Sequence, residues 1–182
     1  ISNADCLSTA DRGRRFEMLK DAVARLKSRP GTSVYVDAGH TAWQPAAVAA
    51  SRLIEAGIAQ ADGFSLNVSN FETTASNLSY GVQISALVGG KHFVIDTSRN
   101  GLGPGSTWCN PAGRALGSAP TTRTGHPRVD ALLWVKRPGE SDGDCNGGPS
   151  AGLFWADYAL AMAQRTSSAM LAASLGSPST AN

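Results

Sequence analysis

Four short apolar runs recur along the chain at intervals that match a strand–helix repeat. With Val34, Phe64, Phe93 and Leu132 as markers, the runs succeed one another after 30, 29 and 39 residues. Each interval has the length of one βα unit, and strands that are apolar at nearly every position are typical of a parallel sheet covered on both faces. The repeat therefore predicts an α/β fold with parallel strands.

Helical periodicity fills the intervals between these runs. Strands are predicted at 33–36, 63–68, 92–95 and 131–135, and helices at 14–28, 45–56, 73–87 and from 156 to 165 or beyond. A closed barrel of eight βα units takes about 250 residues. Four units can therefore form a small open sheet, or part of a barrel whose remainder lies elsewhere. The longest gap, 97–130, is rich in Gly, Pro, Ser, Thr and Asn, and so long a loop is usually functional.

Composition narrows the classes of partner. The chain has 182 residues, of which 16% are charged, and its formal net charge is +2. No cluster of Lys and Arg exceeds two adjacent residues, so nothing favours nucleic acid. No apolar run approaches the roughly 18 residues of a membrane span. The sequence contains neither CxxC nor HExxH, and we expect no metal and no cofactor. A neutral substrate fits best.

Every predicted strand is followed by ionisable or amide side chains. Because the carboxyl ends of parallel strands meet at one edge of a sheet, catalytic groups gather there. Taken singly, each residue could instead cap a helix, form a turn or lie in solvent. Four successive strand ends of this kind together indicate a site. In chain order the residues are Asp37 and His40; Asn67 and Asn70; Asp96 and Arg99; Lys136, Glu140 and Asp142.

Tryptophans indicate the class of substrate. Trp43 and Trp108 fall in polar loops, where a tryptophan either covers the edge of the core or offers a flat apolar face to a sugar ring. The neighbouring Asn, Asp, Lys and Glu side chains would bind the hydroxyl groups of that sugar. Trp134 lies within a predicted strand and is expected in the core, whereas Trp155 could serve either purpose.

Five segments together resemble glycoside hydrolase family 6, the inverting β-1,4-glucanases. The resemblance covers nearly the whole chain up to about Arg165, in the family's order and spacing. It implies that residues 1–170 are the carboxyl-terminal part of a catalytic domain, with 171–182 as a small polar tail. The implied fold is part of a distorted (β/α) TIM-like barrel with parallel strands, incomplete in this chain. The segments are VYVDAGH at 34–40 with Trp43, LNVSNF at 66–71, VIDTSRNG at 94–101, WCNP at 108–111 and LWVKRPGESDG at 133–143.

The resemblance also implies a reaction and roles for the residues. A secreted enzyme of this family would hydrolyse internal β-1,4-glucosidic bonds in cellulose and related β-glucans with inversion. Asp142 matches the general base, which in this family can act through a chain of waters, and Asp37 matches an aspartate that supports binding and tunes the pKa of the site. An inverting pair of carboxyl groups stands roughly 6.5–9.5 Å apart. Substrate-binding roles fall on His40, Trp43, Asn67, Asn70, Arg99, Trp108, Lys136 and Glu140.

One motif of the family has no counterpart in this sequence. The general acid is the aspartate of a Glu-Pro-Asp motif, which this sequence lacks. The family places that motif just before the stretch matching residues 1–7, so we expect the acid on a preceding segment and expect the isolated chain to be inactive. Cys109 and Cys145 match one family disulfide, and Cys6 matches half of another whose partner lies in that segment. Only eleven residues separate Gly143 from Trp155, which favours an open cleft and an endoglucanase.

Two other hypotheses stay open. The chain could be a non-catalytic fragment that holds a glucan without cleaving it, and the missing acid supports that alternative. It could also be an unrelated small α/β protein with an open parallel sheet, such as a hydrolase of another kind. In that case the two loop tryptophans would contribute nothing to glucan binding.

Overall fold

Strands and helices alternate through most of the chain. The structure is a computed structural model that describes residue 1 and residues 5–175. The alternation confirms the predicted α/β class. The elements are α1 (Thr9–Lys27), β1 (Tyr35–Asp37), α2 (Ala46–Glu55), β2 (Gly63–Leu66), α3 (Thr74–Leu87), β3 (His92–Asp96), β4 (Val129–Leu133) and α4 (Ala156–Leu175).

The four strands form one parallel sheet in the order β1-β2-β3-β4. Phe64 of β2 pairs with Val36 on one side and with Phe93 on the other, and Ile95 of β3 pairs with Leu132 of β4. The parallel arrangement confirms the prediction from the apolar runs. Within the described residues β1 and β4 are the two edges, so the sheet is open and the barrel is not closed.

The core lies between the sheet and the helices. Phe64 and Phe93 stack with their ring centroids 5.2 Å apart, and both side chains are completely buried. Gly81 of α3 lies directly over Phe93, where an added Cβ would stand 2.3 Å from the ring. The missing side chain allows α3 to pack closely on β3. Because the helices pack on the faces of the sheet, the carboxyl ends of the strands remain available to carry a site.

Several element boundaries differ from the sequence prediction, and β1 and β2 are shorter than expected. Helix α1 begins at Thr9 rather than near Arg14, because Ser8 caps it by accepting a hydrogen bond from the backbone N–H of Asp11 at 3.1 Å. Strand β4 starts and ends two residues earlier than expected, across a register shift opposite Phe93. Trp134 therefore lies beyond β4 and outside the buried core, contrary to its predicted place in a strand. Its ring nitrogen donates to the carbonyl of Ser118 at 2.9 Å.

Helix α4 agrees with the predicted helix from 156 to 165 or beyond. It runs to Leu175, so residues 171–175 of the predicted polar tail are helical, and 176–182 lie outside the described residues. None of the helices in the described residues is long and apolar enough to cross a membrane.

Candidate active site

The loops after β2, β3 and β4 are tied together by one carboxylate. Asp96, at the end of β3, is almost completely buried and accepts three backbone hydrogen bonds. The donors are the N–H groups of Ser98 at 2.8 Å, Ser69 at 3.2 Å and Lys136 at 2.9 Å. Because all its bonds go to the backbone, Asp96 braces the site and presents no free carboxylate to a ligand.

A buried ion pair lies beside this brace. Nη1 of Arg99 lies 2.9 Å from Oδ2 of Asp142, and the two side chains are 0% and 2% exposed. Arg99 also donates to the carbonyl of Ser69 at 2.6 Å and stands 4.2 Å from the centroid of the Phe71 ring. On the other side, Nζ of Lys136 lies 3.5 Å from Oδ1 of Asp142. Asp142 therefore has a cation at each carboxylate oxygen.

A second carboxylate, Glu140, extends the cluster toward solvent. It accepts a hydrogen bond from Lys136 at 3.2 Å and another from Arg137 at 2.6 Å. Desolvation alone would raise the pKa of Glu140, but these two cations outweigh it and hold the pKa below its ordinary value. The structure thus brings four predicted site residues together: Arg99, Lys136, Glu140 and Asp142.

Asn110 belongs to this cluster, although the sequence patterns gave it no role beyond its place in the WCNP segment. It is almost completely buried. Its backbone N–H donates to Oδ2 of Asp142 at 3.1 Å, and its own Oδ1 accepts from the backbone N–H of Asp142 at 2.8 Å. The preceding Cys109 forms a disulfide with Cys145, with 6.2 Å between the Cα atoms, as the resemblance implies. The position between Cys109 and Pro111 is the only local signal in the sequence.

An open groove of about 650 Å³ lies on the neighbouring surface. Its walls include Trp43 and Trp108, which are 47% and 57% exposed. Ser69 and Phe71 also line the groove. Both contact the buried Arg99, which donates to the carbonyl of Ser69 and lies over the Phe71 ring. The groove and the buried ion pair therefore share one wall.

His40 and Asn70 belong to the groove as well. The ring of His40 lies 5.8 Å from that of Trp43, and within the described residues its buried Nδ1 has no hydrogen-bond partner. Burial lowers the pKa of His40 below its ordinary value, against the opposing effect of Glu72 and Asp37. The lowered pKa favours the neutral form of the imidazole at pH 7. Glu72, to which no sequence pattern gave a role, also lines the groove.

Two predicted site residues lie elsewhere. Asn67 is completely buried, and its amide donates to the carbonyls of Glu72 at 3.0 Å and Asp96 at 2.9 Å. This geometry makes Asn67 a brace beneath the groove rather than part of its wall. Asp37 ends the edge strand β1 with an exposed side chain, and its Oδ1 accepts from the N–H of Gly39 at 2.8 Å.

The acidic and histidine side chains of the site do not form a metal centre. Among residue 1 and residues 5–175, no group of three or more His, Cys, Asp or Glu side chains could hold a metal ion.

Comparison with known proteins links this geometry to one family. The chain matches the model of glycosyl hydrolases family 6 over residues 1–166. It is 51% identical over 160 residues to Endoglucanase A of Cellulomonas fimi, and the match covers 88% of this chain and 35% of that protein. It is 46% identical over 170 residues to Endoglucanase 1 of Streptomyces halstedii, with 89% and 52% covered. The chain therefore spans between a third and about half of the length of these two relatives.

A solved structure shows the same similarity in three dimensions. The endoglucanase Cel6 from Mycobacterium tuberculosis, in complex with methyl-cellobiosyl-4-deoxy-4-thio-β-D-cellobioside, superposes on this chain with a TM-score of 0.88. The two sequences are 51% identical, and the match covers 91% of this chain and 58% of that one.

Proposed function

The chain belongs to glycosyl hydrolase family 6, and from that premise we propose that it is part of an enzyme that hydrolyses internal β-1,4-glucosidic bonds in cellulose and related β-glucans. One observation carries the proposal: an open groove with two exposed tryptophans shares a wall with a buried, cation-bound aspartate. Trp43 and Trp108 offer apolar faces to glucosyl rings, and His40 and Asn70 offer hydrogen bonds to their hydroxyl groups. The names of the similar endoglucanases support cleavage within the glucan chain.

In this proposal Asp142 is the general base of an inverting reaction. Arg99 occupies its Oδ2 atom, so Oδ1 is the oxygen that can take a proton from the attacking water. Because the Asp142 side chain is 2% exposed, the proton reaches it through a short chain of waters. Lys136 and Glu140 lie on the solvent side of the carboxylate and bind the glucosyl units next to the scissile bond.

The remaining residues of the predicted site take supporting roles. We propose that Asp37 supports substrate binding and tunes the pKa of the complete site, and that Asn67 and Arg99 support the residues that line the groove. Residues 1–170 form the part of the catalytic domain that carries all these groups.

The general acid comes from residues outside the 182-residue sequence. Inversion needs a carboxylic acid to protonate the leaving oxygen as well as a base to activate water, and the Glu-Pro-Asp motif of the family's acid is missing from the sequence. Cys6 is exposed and unpaired in the described structure, and we propose that it forms a disulfide with that outside segment. Structural disulfides are typical of secreted proteins, so the enzyme acts outside the cell.

The proposal is tested by Asp142→Asn in the complete protein, with Asp144→Asn as the matched control. Asp144 lies two residues further along the same loop and is exposed. Without its base the enzyme should lose at least about 100-fold in kcat on soluble cellulose, while the Kd for cellotetraose stays within about twofold. The control should match wild type in both measurements. Intact mass before and after reduction of the same protein tests the Cys6 pairing, because a free Cys6 thiol would contradict it.

Three outcomes separate the hypotheses. Wild-type turnover in the Asp142→Asn protein would refute the assignment of the base. A complete wild-type protein that binds cellotetraose without releasing product would favour the non-catalytic glucan-binding alternative. A complete protein that neither binds nor cleaves glucans would refute the proposed function altogether.

A further inference from the structure

We propose that Asn110 is a positioning residue that fixes the orientation of the Asp142 carboxylate. The inference rests on the proposed function, in which Asp142 takes a proton from water. The backbone N–H of Asn110 and the guanidinium of Arg99 both donate to Oδ2 of Asp142, at 3.1 and 2.9 Å. These two donors occupy one oxygen and leave Oδ1, which faces Lys136, as the oxygen available for catalysis.

The side chain of Asn110 holds the backbone of the same aspartate. Its Oδ1 accepts from the N–H of Asp142 at 2.8 Å, while its Nδ2 donates to the carbonyls of Gly143 at 2.8 Å and Cys145 at 3.1 Å and to the hydroxyl of Ser141 at 3.2 Å. An amide is required, because one end of the group accepts and the other donates. Asn110 therefore sets both the position of the Asp142 backbone and the direction of its carboxylate.

Three features restrict the movement of Asn110. Its φ of +44° lies in the left-handed region, which asparagine tolerates better than most residues. The disulfide between Cys109 and Cys145 joins the two loops covalently next to it. Gly148 lies against the amide so closely that an added Cβ would stand 2.3 Å from Nδ2. The asparagine cannot shift without moving the loop that carries Asp142.

The contacts of Asp142 separate two kinetic readouts. Arg99 and Lys136 contact the carboxylate directly, and Glu140 binds the far side of Lys136. If the carboxylate turns out of this arrangement, it is misplaced for proton transfer, while the groove keeps the residues that line it. Loss of the Asn110 side chain should therefore lower kcat and leave glucan affinity unchanged.

Asn110→Gly in the complete protein tests the inference, with Asn146→Gly as the matched control. Glycine keeps the left-handed backbone and the N–H donor of residue 110 and removes only the side chain. Asn146 also has a left-handed φ, of +50°, and directly follows Cys145 of the same disulfide, but its amide donates to Cys109 and Thr107 instead of holding Asp142. The two variants therefore make the same chemical change at two left-handed positions beside one disulfide, of which Asn110 is buried and Asn146 is exposed.

For Asn110→Gly we expect kcat on soluble cellulose to fall by about 10- to 100-fold, with the Kd for cellotetraose within about twofold. Asn146→Gly should match wild type in both measurements. Equal behaviour of the two variants would overturn the inference, and so would a parallel loss of kcat and affinity.

A second variant covers the case in which Asn110→Gly does not fold. Asn110→Asp keeps an acceptor oxygen for the backbone N–H of Asp142 but removes the amide that donates to the carbonyls of Gly143 and Cys145. The kcat should again fall while the Kd for cellotetraose stays within about twofold, and an unchanged kcat would overturn the inference. A wild-type protein without activity would instead refute the proposed function, and this inference with it.

Discussion

Arg99 is the side chain whose loss should cost the site most. It is completely buried, and it satisfies both Asp142 and the carbonyl of Ser69. Arg99→Leu would leave the Asp142 carboxylate buried without its main partner, and breaking a buried pair in this way costs about 3–5 kcal/mol. We expect a decrease of that size in the free energy of unfolding of the complete protein, measured by urea denaturation at pH 7.

An exposed ion pair provides the control for this measurement. Arg25 and Asp21 form an i,i+4 pair on α1, with side chains that are 78% and 60% exposed. Because surface pairs contribute little, Arg25→Leu should change the free energy of unfolding by no more than about 0.5 kcal/mol. If Arg99→Leu were equally mild, the buried pair would not stabilise the site.

At the residue scale the sequence predicted which side chains stand at the strand ends but not which contacts cross between loops. The strand-end rule identified Arg99 and Asp142, which the structure brings together. It could not reveal Asn110, because the contact between Asn110 and Asp142 joins two loops that are 32 positions apart along the chain. It also could not reveal that Asn67 turns inward, because the position of a residue after a strand does not determine the direction of its side chain.

At the scale of single elements, Gly81 shows how tertiary packing overrides helix propensity. Alanine is favoured over glycine inside a helix by about 1 kcal/mol. At Gly81 in α3, however, the added Cβ would stand 2.3 Å from the Phe93 ring, and overpacking costs about 1–3 kcal/mol. We expect Gly81→Ala to lower the free energy of unfolding in urea.

Gly13 is the matched control, because it lies inside α1 and an added Cβ there would meet nothing within 4 Å. Gly13→Ala should raise the free energy of unfolding by about 0.5–1 kcal/mol. The informative result is a decrease in the free energy of unfolding for Gly81→Ala together with an increase for Gly13→Ala. Stabilisation by both substitutions would show that α3 can move away from β3 at little cost.

The existence and type of the elements were predictable, whereas several of their boundaries were not. Apolar runs at βα spacing are sufficient to locate four parallel strands. The start of α1 depends on the cap at Ser8, which lies outside the apolar periodicity. The start of β4 depends on a register shift opposite Phe93, which arises only when the two strands pair.

At the scale of the whole molecule, the sheet matches part of the fold of the chain's relatives. Members of this family have a distorted (β/α) barrel, and the chain matches 58% of a related endoglucanase structure with a TM-score of 0.88. The spacing of the strands limited the possibilities to an open sheet or part of a barrel, but it could not choose between them, because both place the same residues at the carboxyl ends.

Acid pH should destabilise the fold, since three titrating groups act in the same direction. Burial lowers the pKa of His40 from 6.5, and hydrogen bonds from Lys27 and from the backbone of Val34 lower that of Asp62 from 3.8. The pKa of Glu140 is lowered as well. Each of these groups binds protons more readily in the unfolded chain, so the free energy of unfolding falls as the pH falls. Their contributions are complete above the unfolded pKa values and are lost as the pH drops through the folded ones.

The His40 imidazole and the two carboxylates affect stability in different pH ranges. His40 acts as the pH falls below about 6.5 and the carboxylates act below about 4.5, so urea denaturation at about pH 7, 5.5 and 4 should show stability decreasing at both steps. His40→Gln should flatten the step between pH 7 and 5.5 and leave the lower step unchanged. Stability that rose on acidification would contradict the sign of all three shifts. A lower step that vanished in His40→Gln would show that the groove and the carboxylate cluster titrate as one unit.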